Sequence, residues 1–110
     1  MSEFVLAFTT LPGDFDATPL ASDLVGAGLA ACVNILPPMT SVYTWKGVPQ
    51  VDREQQLFIK TTADRVDALW EVLRARHPYE VPEFIVLPVV GGSDEYTRWV
   101  SESVGPRRES

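Results

Sequence analysis

The chain of 110 residues has few of the side chains from which catalytic and metal centres are usually built. Cys32 is its only cysteine and His77 its only histidine. One cysteine cannot form a disulfide within the chain, and this pair cannot supply the four N or S ligands of a structural zinc site, although a site shared between subunits stays open. No nucleophile beside a base and no phosphate-binding loop is recognisable. We therefore expect a protein that is not an enzyme.

Basic residues and long apolar runs are also scarce. Lys and Arg total 9 against 15 Asp and Glu, which gives a formal net charge of -6. Binding to nucleic acid or to an anionic membrane surface needs clustered positive charge, so neither partner is expected. No run approaches the ~20 apolar residues that span a bilayer, and no signal peptide is visible. Together with the single cysteine, which suits a reducing compartment, this predicts a cytoplasmic protein.

The apolar pattern predicts one α+β domain over residues 1–105. Gly28 and Pro78 mark the ends of two helices, and Ser93 is expected to cap a third. Asp16 or Thr18 is expected to cap the first helix, and Asp64 the second. The predicted elements are a strand at 3–10, a helix at 16–27, a hairpin at 29–62, a helix at 64–76, a strand at 83–90 and a helix at 93–104.

This βαββαβ order with a C-terminal helix is typical of the ferredoxin-like sandwich, an antiparallel sheet with helices on one face. Its long hairpin joins the second and third strands. The last residues, 106–110, contain no apolar side chain and are predicted to form a flexible C-terminal tail.

The predicted hairpin is too long for the domain that carries it. Lys46-Gly47 fits a two-residue turn, and Pro37-Pro38 must interrupt one arm, because proline cannot donate to a ladder. Each arm of ~15 residues would extend ~50 Å, whereas a compact domain of this size is ~34 Å across. The apolar tip is then expected to pack on another copy in a cyclic dimer or trimer. The alternative is a bent, shorter hairpin. The tip residues are Val42, Tyr43, Trp45 and Val48.

The stretch "RHPYEVPEFIVLPVVGG" holds His77 six residues ahead of Glu83. Pro78 and Pro82 restrict the backbone of the residues before them, so the segment is stiff. A stiff segment can hold an imidazole and a carboxylate at a fixed separation, as a metal or small-ligand site requires. The residues alone favour a simpler interpretation, in which His77 ends a helix and Glu83 begins a strand.

Other candidate groups also have two interpretations. Five aromatic residues could line a pocket, although core or interface positions are favoured, and three basic residues on the hairpin could bind an anion, although a solvated strand face is favoured. Cys32 is expected to be buried and inert. The aromatic candidates are Tyr43, Trp45, Tyr79, Phe84 and Trp99, and the basic ones are Lys46, Arg53 and Lys60.

The motifs "AACVNILP", "SVYTWKG", "FIKTT", "HPYEVPE", "VLPV" and "YTRWV" follow one another along about residues 4–102. In this order and spacing they resemble the CutA divalent-cation-tolerance family. The resemblance implies a ferredoxin-like fold and a homotrimer, P-II-like in architecture, whose long hairpins cross between subunits. It also implies a role in tolerance of divalent metals, copper most often, without an established reaction. Whether that role is direct or works through a partner protein stays open.

The resemblance also implies a metal site. Relatives proposed to bind copper use a cysteine in the first strand, a histidine of a His-His pair and a later glutamate. Phe8 stands at the cysteine position and Arg76 at the first histidine, so His77 and Glu83 are the expected ligands. Without a thiolate, and with a cation beside the site, only weak binding of copper or another divalent ion is expected. The alternative function is a P-II-like signalling module that binds a small anion or nucleotide at subunit clefts.

Overall fold

The computed structural model describes residues 3–105, so the predicted tail at 106–110 lies outside the described residues. These described residues form five strands and three α-helices, and a single 3-10 turn precedes the second α-helix. The elements are β1 Phe4–Pro12, α1 Thr18–Gly26, β2 Cys32–Ile35, β3 Met39–Trp45, β4 Val48–Thr62, the 3-10 turn Ala63–Arg65, α2 Val66–Arg76, β5 Ile85–Pro88 and α3 Asp94–Ser103.

The strands form one antiparallel sheet in the order β2-β4-β1-β5, and β3 pairs with the outer half of β4. In the centre of the sheet, Phe8 of β1 lies opposite Phe58 of β4 and opposite Ile85 of β5. Strands β2 and β3 are the two parts of the predicted first hairpin arm. The order confirms the predicted ferredoxin-like arrangement.

A β-bulge separates β2 from β3. Ile35 lies opposite Leu57 and Met39 lies opposite Glu54, so four steps along one arm match three along the other. The extra residue falls in the segment that contains Pro37-Pro38, where the ladder cannot continue because proline lacks an N–H group. The predicted interruption of this arm is confirmed.

The hairpin turns at Lys46 and Gly47, which both have positive φ angles, of 50° and 80°. This is the geometry of a two-residue turn that matches the twist of its strands, as predicted. The described chain extends 47 × 32 × 23 Å, so its longest dimension exceeds that of a compact domain. The hairpin leaves apolar side chains exposed, among them Val42, Val48 and Val51.

The main core lies between the sheet and the helices α1 and α2. Alternate residues of β1 and β4 point toward it because side chains alternate along a strand, and each helix contributes leucines. Its fully buried members include Ala7, Leu11, Leu20, Leu24, Leu57, Ile59, Leu69 and Leu73.

The opposite face of the sheet is only partly covered. Helix α3 contacts β1 and β4 there, with the rings of Phe4 and Tyr96 6.3 Å apart. Beyond α3, Phe8 stacks on Phe58 at 4.9 Å, and Leu87 remains exposed. An apolar strip therefore remains on this face within residues 3–105.

Local signals at the helix ends were partly correct. Ser93 accepts a hydrogen bond of 3.3 Å from the N–H group of Tyr96, as predicted for the cap of α3. Asp64 does not cap α2, because it lies within the 3-10 turn that precedes this helix and accepts from the Thr62 hydroxyl at 2.5 Å. Asp16 accepts from the N–H group of Thr18 at 3.3 Å, although it lies one residue before the N-cap of α1.

Gly28 ends α1 as predicted, with a φ angle of 73°. Its N–H group donates to Val25, and that of Leu29 donates to Leu24 at 3.0 Å, which together form a Schellman motif. Gly105 donates to the Gly28 carbonyl at 2.8 Å. The end of α1 is thus joined to the segment that follows α3.

The last predicted strand is shorter than expected, because only Ile85–Pro88 pairs with β1. Pro82 restricts the backbone of Val81, and Pro88 has no N–H group that could extend the ladder. The chain leaves the sheet after one more hydrogen bond, from Val89 to Phe4.

Candidate functional site

An open cleft of about 700 Å³ lies between the hairpin and the segment that joins α2 to β5. Strands β3 and β4 form one wall, and residues 78–83 form the other. Aromatic rings, carboxylates and two prolines line it. The lining includes Tyr43, Trp45, Glu54, Tyr79, Pro82 and Glu83.

The second wall begins where α2 ends. His77 has an extended backbone, with φ -75° and ψ 133°, while its N–H group still donates to Leu73 at 2.9 Å. Pro78 imposes this conformation because its ring clashes with a helical residue before it. The predicted effect of Pro78 on His77 is confirmed, and the chain turns toward the hairpin at this point.

Both ring nitrogens of His77 have partners. The N–H group of Tyr79 donates to Nδ1 at 3.1 Å, so this nitrogen carries no proton, and Nε2–H donates to the Thr10 carbonyl at 2.6 Å. Burial lowers the pKa of His77, while the Thr10 hydrogen bond and the charge of Glu54 act in the opposite direction. The neutral imidazole therefore fixes the start of the second wall to β1.

Two tyrosines of the cleft donate to carboxylates on β4. The Tyr79 hydroxyl donates to Glu54 at 2.6 Å, and the Tyr43 hydroxyl donates to Asp52. Burial and the bond to Glu54 raise the pKa of Tyr79, and the bond to Asp52 is the main cause that raises the pKa of Tyr43. Both phenols stay protonated at neutral pH and orient the carboxylates without neutralising them.

Glu83 reaches the cleft from the other wall. Its carboxylate accepts a hydrogen bond of 2.8 Å from the side-chain amide of Gln56, which also donates to the Thr9 carbonyl at 3.3 Å. His77 does not line the cleft, although it is hydrogen-bonded to Thr10 and Tyr79, which do. The structure thus places Glu83 in the cleft and His77 behind its lining.

The predicted metal ligands have neutral hydrogen-bond partners. Within residues 3–105 no group of three or more His, Cys, Asp or Glu side chains is arranged to hold a metal ion. Phe8, which the resemblance placed at a cysteine position, is stacked on Phe58, and Arg76 forms an ion pair of 2.6 Å with Asp23. The assignment of His77 and Glu83 as metal ligands stays a prediction.

The other candidate residues separate into two groups. Tyr43, Trp45 and Tyr79 line the cleft, as the pocket interpretation predicted. Phe84 instead stacks on Trp70 at 4.9 Å, and Trp99 lies beside Tyr96 on α3.

None of the basic candidates lines the cleft. Lys46 lies 4.0 Å from Glu80, Arg53 reaches the Thr40 hydroxyl at 3.5 Å, and Lys60 lies over the Tyr96 ring. Cys32 is only partly buried, because it lies on the edge strand β2, so the expectation that it is buried was wrong.

Sequence reasoning missed Glu54, which is 7% exposed. The sequence offers no signal for its burial, because Glu54 lies in the polar run "DREQQ" of β4. Its hydrogen-bond partner Tyr79 lies 25 residues further along the chain.

Residues 5–103 match the family described as CutA1 divalent ion tolerance protein. The chain belongs to this family. It is 47% identical to the Protein CutA homolog of Xenopus laevis over 98 residues, which cover 89% of this chain and 65% of that protein. It is 43% identical to the chloroplastic Protein CutA of Arabidopsis thaliana, over 90% of this chain and 54% of that one. The divalent-cation tolerance protein CutA of Thermus thermophilus is 44% identical, over 96% of this chain and its entire length.

Solved structures of CutA proteins share this fold. That of Thermus thermophilus has a TM-score of 0.88 at 41% identity and covers 93% of this chain and 99% of its own. A Nostoc protein described as a PII-like CutA in apo form has a TM-score of 0.84 at 31% identity, and the match covers 94% of this chain and 99% of its own. The chain spans about half to two-thirds of the length of the frog and plant CutA relatives.

The cellular compartment of this CutA1 family member stays a prediction. A similar CutA of Archaeoglobus fulgidus, with a TM-score of 0.87 at 28% identity over 93% of this chain and 99% of its own, is described as periplasmic. In the described part of this chain, no helix combines the length and apolar character needed to cross a membrane.

Proposed function

We propose that this chain contributes to divalent-ion tolerance as a non-enzymatic homotrimer. Membership of the CutA1 divalent ion tolerance family, matched over residues 5–103, carries the proposal. The cleft residues support a binding role, because their hydroxyls and amides hold carboxylates in place and no nucleophile is paired with a base among them.

The tolerance role has a direct test. A bacterial strain that lacks its own CutA protein is supplied with this chain, and growth is followed over a series of copper concentrations. The chain is expected to raise the copper concentration that halves the growth rate. Growth equal to that of cells with the empty vector would contradict the proposal, provided that the protein is detected in the cells.

The homotrimer is supported by apolar surface that the single chain leaves uncovered. Val42 and Val51 lie opposite each other on the hairpin and are 74% and 68% exposed, and the sheet face around Phe8 is not fully covered. Such surface is costly to leave in water. Light scattering is expected to give three times the chain mass of 12.2 kDa.

Binding of a divalent cation, copper in particular, is proposed only at low affinity. To bind a metal, Glu83 would have to share or break its hydrogen bond with Gln56. Nδ1 of His77 would have to break its hydrogen bond with the N–H group of Tyr79. Calorimetric titration with copper chloride is expected to give weak heats that Glu83→Gln reduces. No heat above buffer in the parent protein would remove the metal site.

The alternative is a PII-like module for a small anion or nucleotide, which the similarity to the PII-like Nostoc structure favours. Charge opposes it, because Glu54, Glu80 and Glu83 line the cleft and no Lys or Arg does so within residues 3–105. A thermal-shift experiment with ATP tests this alternative, since a ligand of the native state raises the melting temperature.

A further inference from the structure

The cleft contains a buried carboxylate that lacks an opposite charge. Glu54 is 7% exposed, and no ion pair forms on it within the described part of the chain. Its hydrogen-bond partner is the neutral hydroxyl of Tyr79. Burial of an unpaired charge is costly, so a site of this kind favours a cation that enters it.

A second carboxylate lies across the cleft. Glu83 is partly buried, and its partner Gln56 is also neutral. Glu80 is the third acidic residue of the lining, and only this one approaches a cation, the exposed Lys46 at 4.0 Å. An exposed pair of this kind contributes little. The lining is therefore negative on both walls.

Most of the remaining lining is apolar or aromatic, and its uncharged polar members are Thr10, Ser41 and Gln56. Tyr43 and Trp45 stand on the hairpin side, partly exposed, while Pro82 lies on the opposite side with Tyr79. A ring face attracts a cation, most strongly when the cation is poorly hydrated. The volume of about 700 Å³ lies in the usual range of small-molecule sites.

We propose that this cleft binds a small organic cation, an amine or a quaternary ammonium compound with an apolar body. The charged group would lie between Glu54 and Glu83, and the apolar part against Tyr43 and Trp45. A hydrated metal ion gains little from aromatic walls, whereas an organic cation uses both parts of the lining. Residues of one chain form both walls. This inference goes beyond divalent-ion tolerance, because it names a different class of ligand.

The probe is benzyltrimethylammonium chloride, titrated calorimetrically into the full chain in a buffer that contains EDTA. Phenylacetate is the matched anion and benzyl alcohol the matched neutral compound. The ammonium compound is expected to bind at least about 10-fold more tightly than benzyl alcohol, because of its attraction to the two carboxylates. Phenylacetate is expected to show no binding.

Two substitutions test the assigned residues. Glu54→Gln retains an oxygen that can accept from Tyr79, and Glu83→Gln retains one that can accept from Gln56. Each is expected to weaken binding of the ammonium compound by about 10-fold, the loss of one close charge. Glu71→Gln is the matched control, because this exposed glutamate lies on α2 and pairs with Arg74. It is expected to leave the affinity unchanged.

The proposal is overturned if the parent protein does not bind the ammonium compound, or binds benzyl alcohol equally well. It is also overturned if Glu71→Gln weakens binding as much as Glu83→Gln does. If the parent protein binds no probe and the Glu54→Gln variant has a lower oligomer mass than the parent, the carboxylate of Glu54 belongs to a subunit contact instead. If Glu54→Gln fails to fold, Glu83→Gln decides alone. Since EDTA excludes metals, failure here is distinguishable from failure of the copper titration.

Discussion

The hydroxyl of Tyr79 donates a hydrogen bond of 2.6 Å to the carboxylate of Glu54, 25 residues earlier in the chain. This bond joins the two walls of the cleft. Because Glu54 is almost fully buried, the bond also satisfies a carboxylate to which water has little access.

Replacement of Tyr79 by Phe should therefore destabilise the protein. Loss of the hydroxyl leaves Glu54 with an unsatisfied oxygen, which costs about 1–3 kcal/mol in the free energy of unfolding. Urea denaturation measures the change. Tyr96→Phe is the control, because this exposed residue mainly contributes ring contacts. Equal losses of unfolding free energy in the two variants would show that the hydrogen bond to Glu54 is not the cause of the destabilisation.

His77 should make stability depend on pH. Burial lowers its pKa in the folded state from the ordinary 6.5, so the unfolded chain binds more protons between the two values. The contribution of the neutral imidazole to the free energy of unfolding is then fully present above about pH 6.5. It decreases as the pH falls toward the lowered pKa.

The matched variant is His77→Gln, whose amide can donate to Thr10 and accept from Tyr79 but does not titrate. Urea unfolding between pH 5 and pH 8 should show a loss of stability toward acid that is smaller in the variant than in the parent. Identical pH profiles would contradict the role assigned to the imidazole.

Gly28 should not tolerate a side chain. Its φ angle is 73°, and a Cβ atom would lie 1.9 Å from the carbonyl oxygen of Gly105. Gly28→Ala should therefore lower the melting temperature, with a cost above about 1 kcal/mol from the left-handed conformation alone. Gly26→Ala is the matched control at the last residue of α1, where a Cβ atom has nothing within 4 Å. It should stabilise the protein by at most about 1 kcal/mol, because alanine restricts the unfolded chain, and the opposite order of the two effects would contradict the prediction.

The apolar hairpin should hold the oligomer together. The double substitution Val42→Glu with Val51→Lys places opposite charges on two residues that lie opposite each other, so the hairpin itself is retained. Light scattering should show a mass that falls toward 12.2 kDa. Val90→Thr, at a residue that is 99% exposed, should leave the mass unchanged. A parent protein of 12.2 kDa at micromolar concentration would contradict the homotrimer.

Features set by a few neighbouring residues could be predicted from the sequence. Lys46-Gly47 forms the turn, Gly28 ends α1 and Ser93 caps α3, because each depends on local backbone geometry. Asp64 was assigned as a cap incorrectly, since a 3-10 turn intervenes before α2. Sequence alone does not distinguish a cap from a turn that delays the helix by two residues.

The site was less predictable because distant segments form it. The Nε2 atom of His77 contacts the carbonyl of Thr10, which is 67 residues away along the chain. Glu54 acquires its partner only when the segment after α2 folds back on the hairpin. Spacing within "HPYEVPE" indicated a stiff segment but could not show which strand it meets.

The bulge between β2 and β3 has a consequence for the cleft. Before it, even-numbered residues such as Asn34 share the sheet face of Phe58, whereas after it odd-numbered residues share the face of Glu54. Tyr43 and Trp45 are odd-numbered, so one surplus residue is what turns their rings toward the acidic side. Without this phase shift, the side chains of Val42 and Thr44 would face that side instead. The hairpin wall of the cleft would then lack its two aromatic rings.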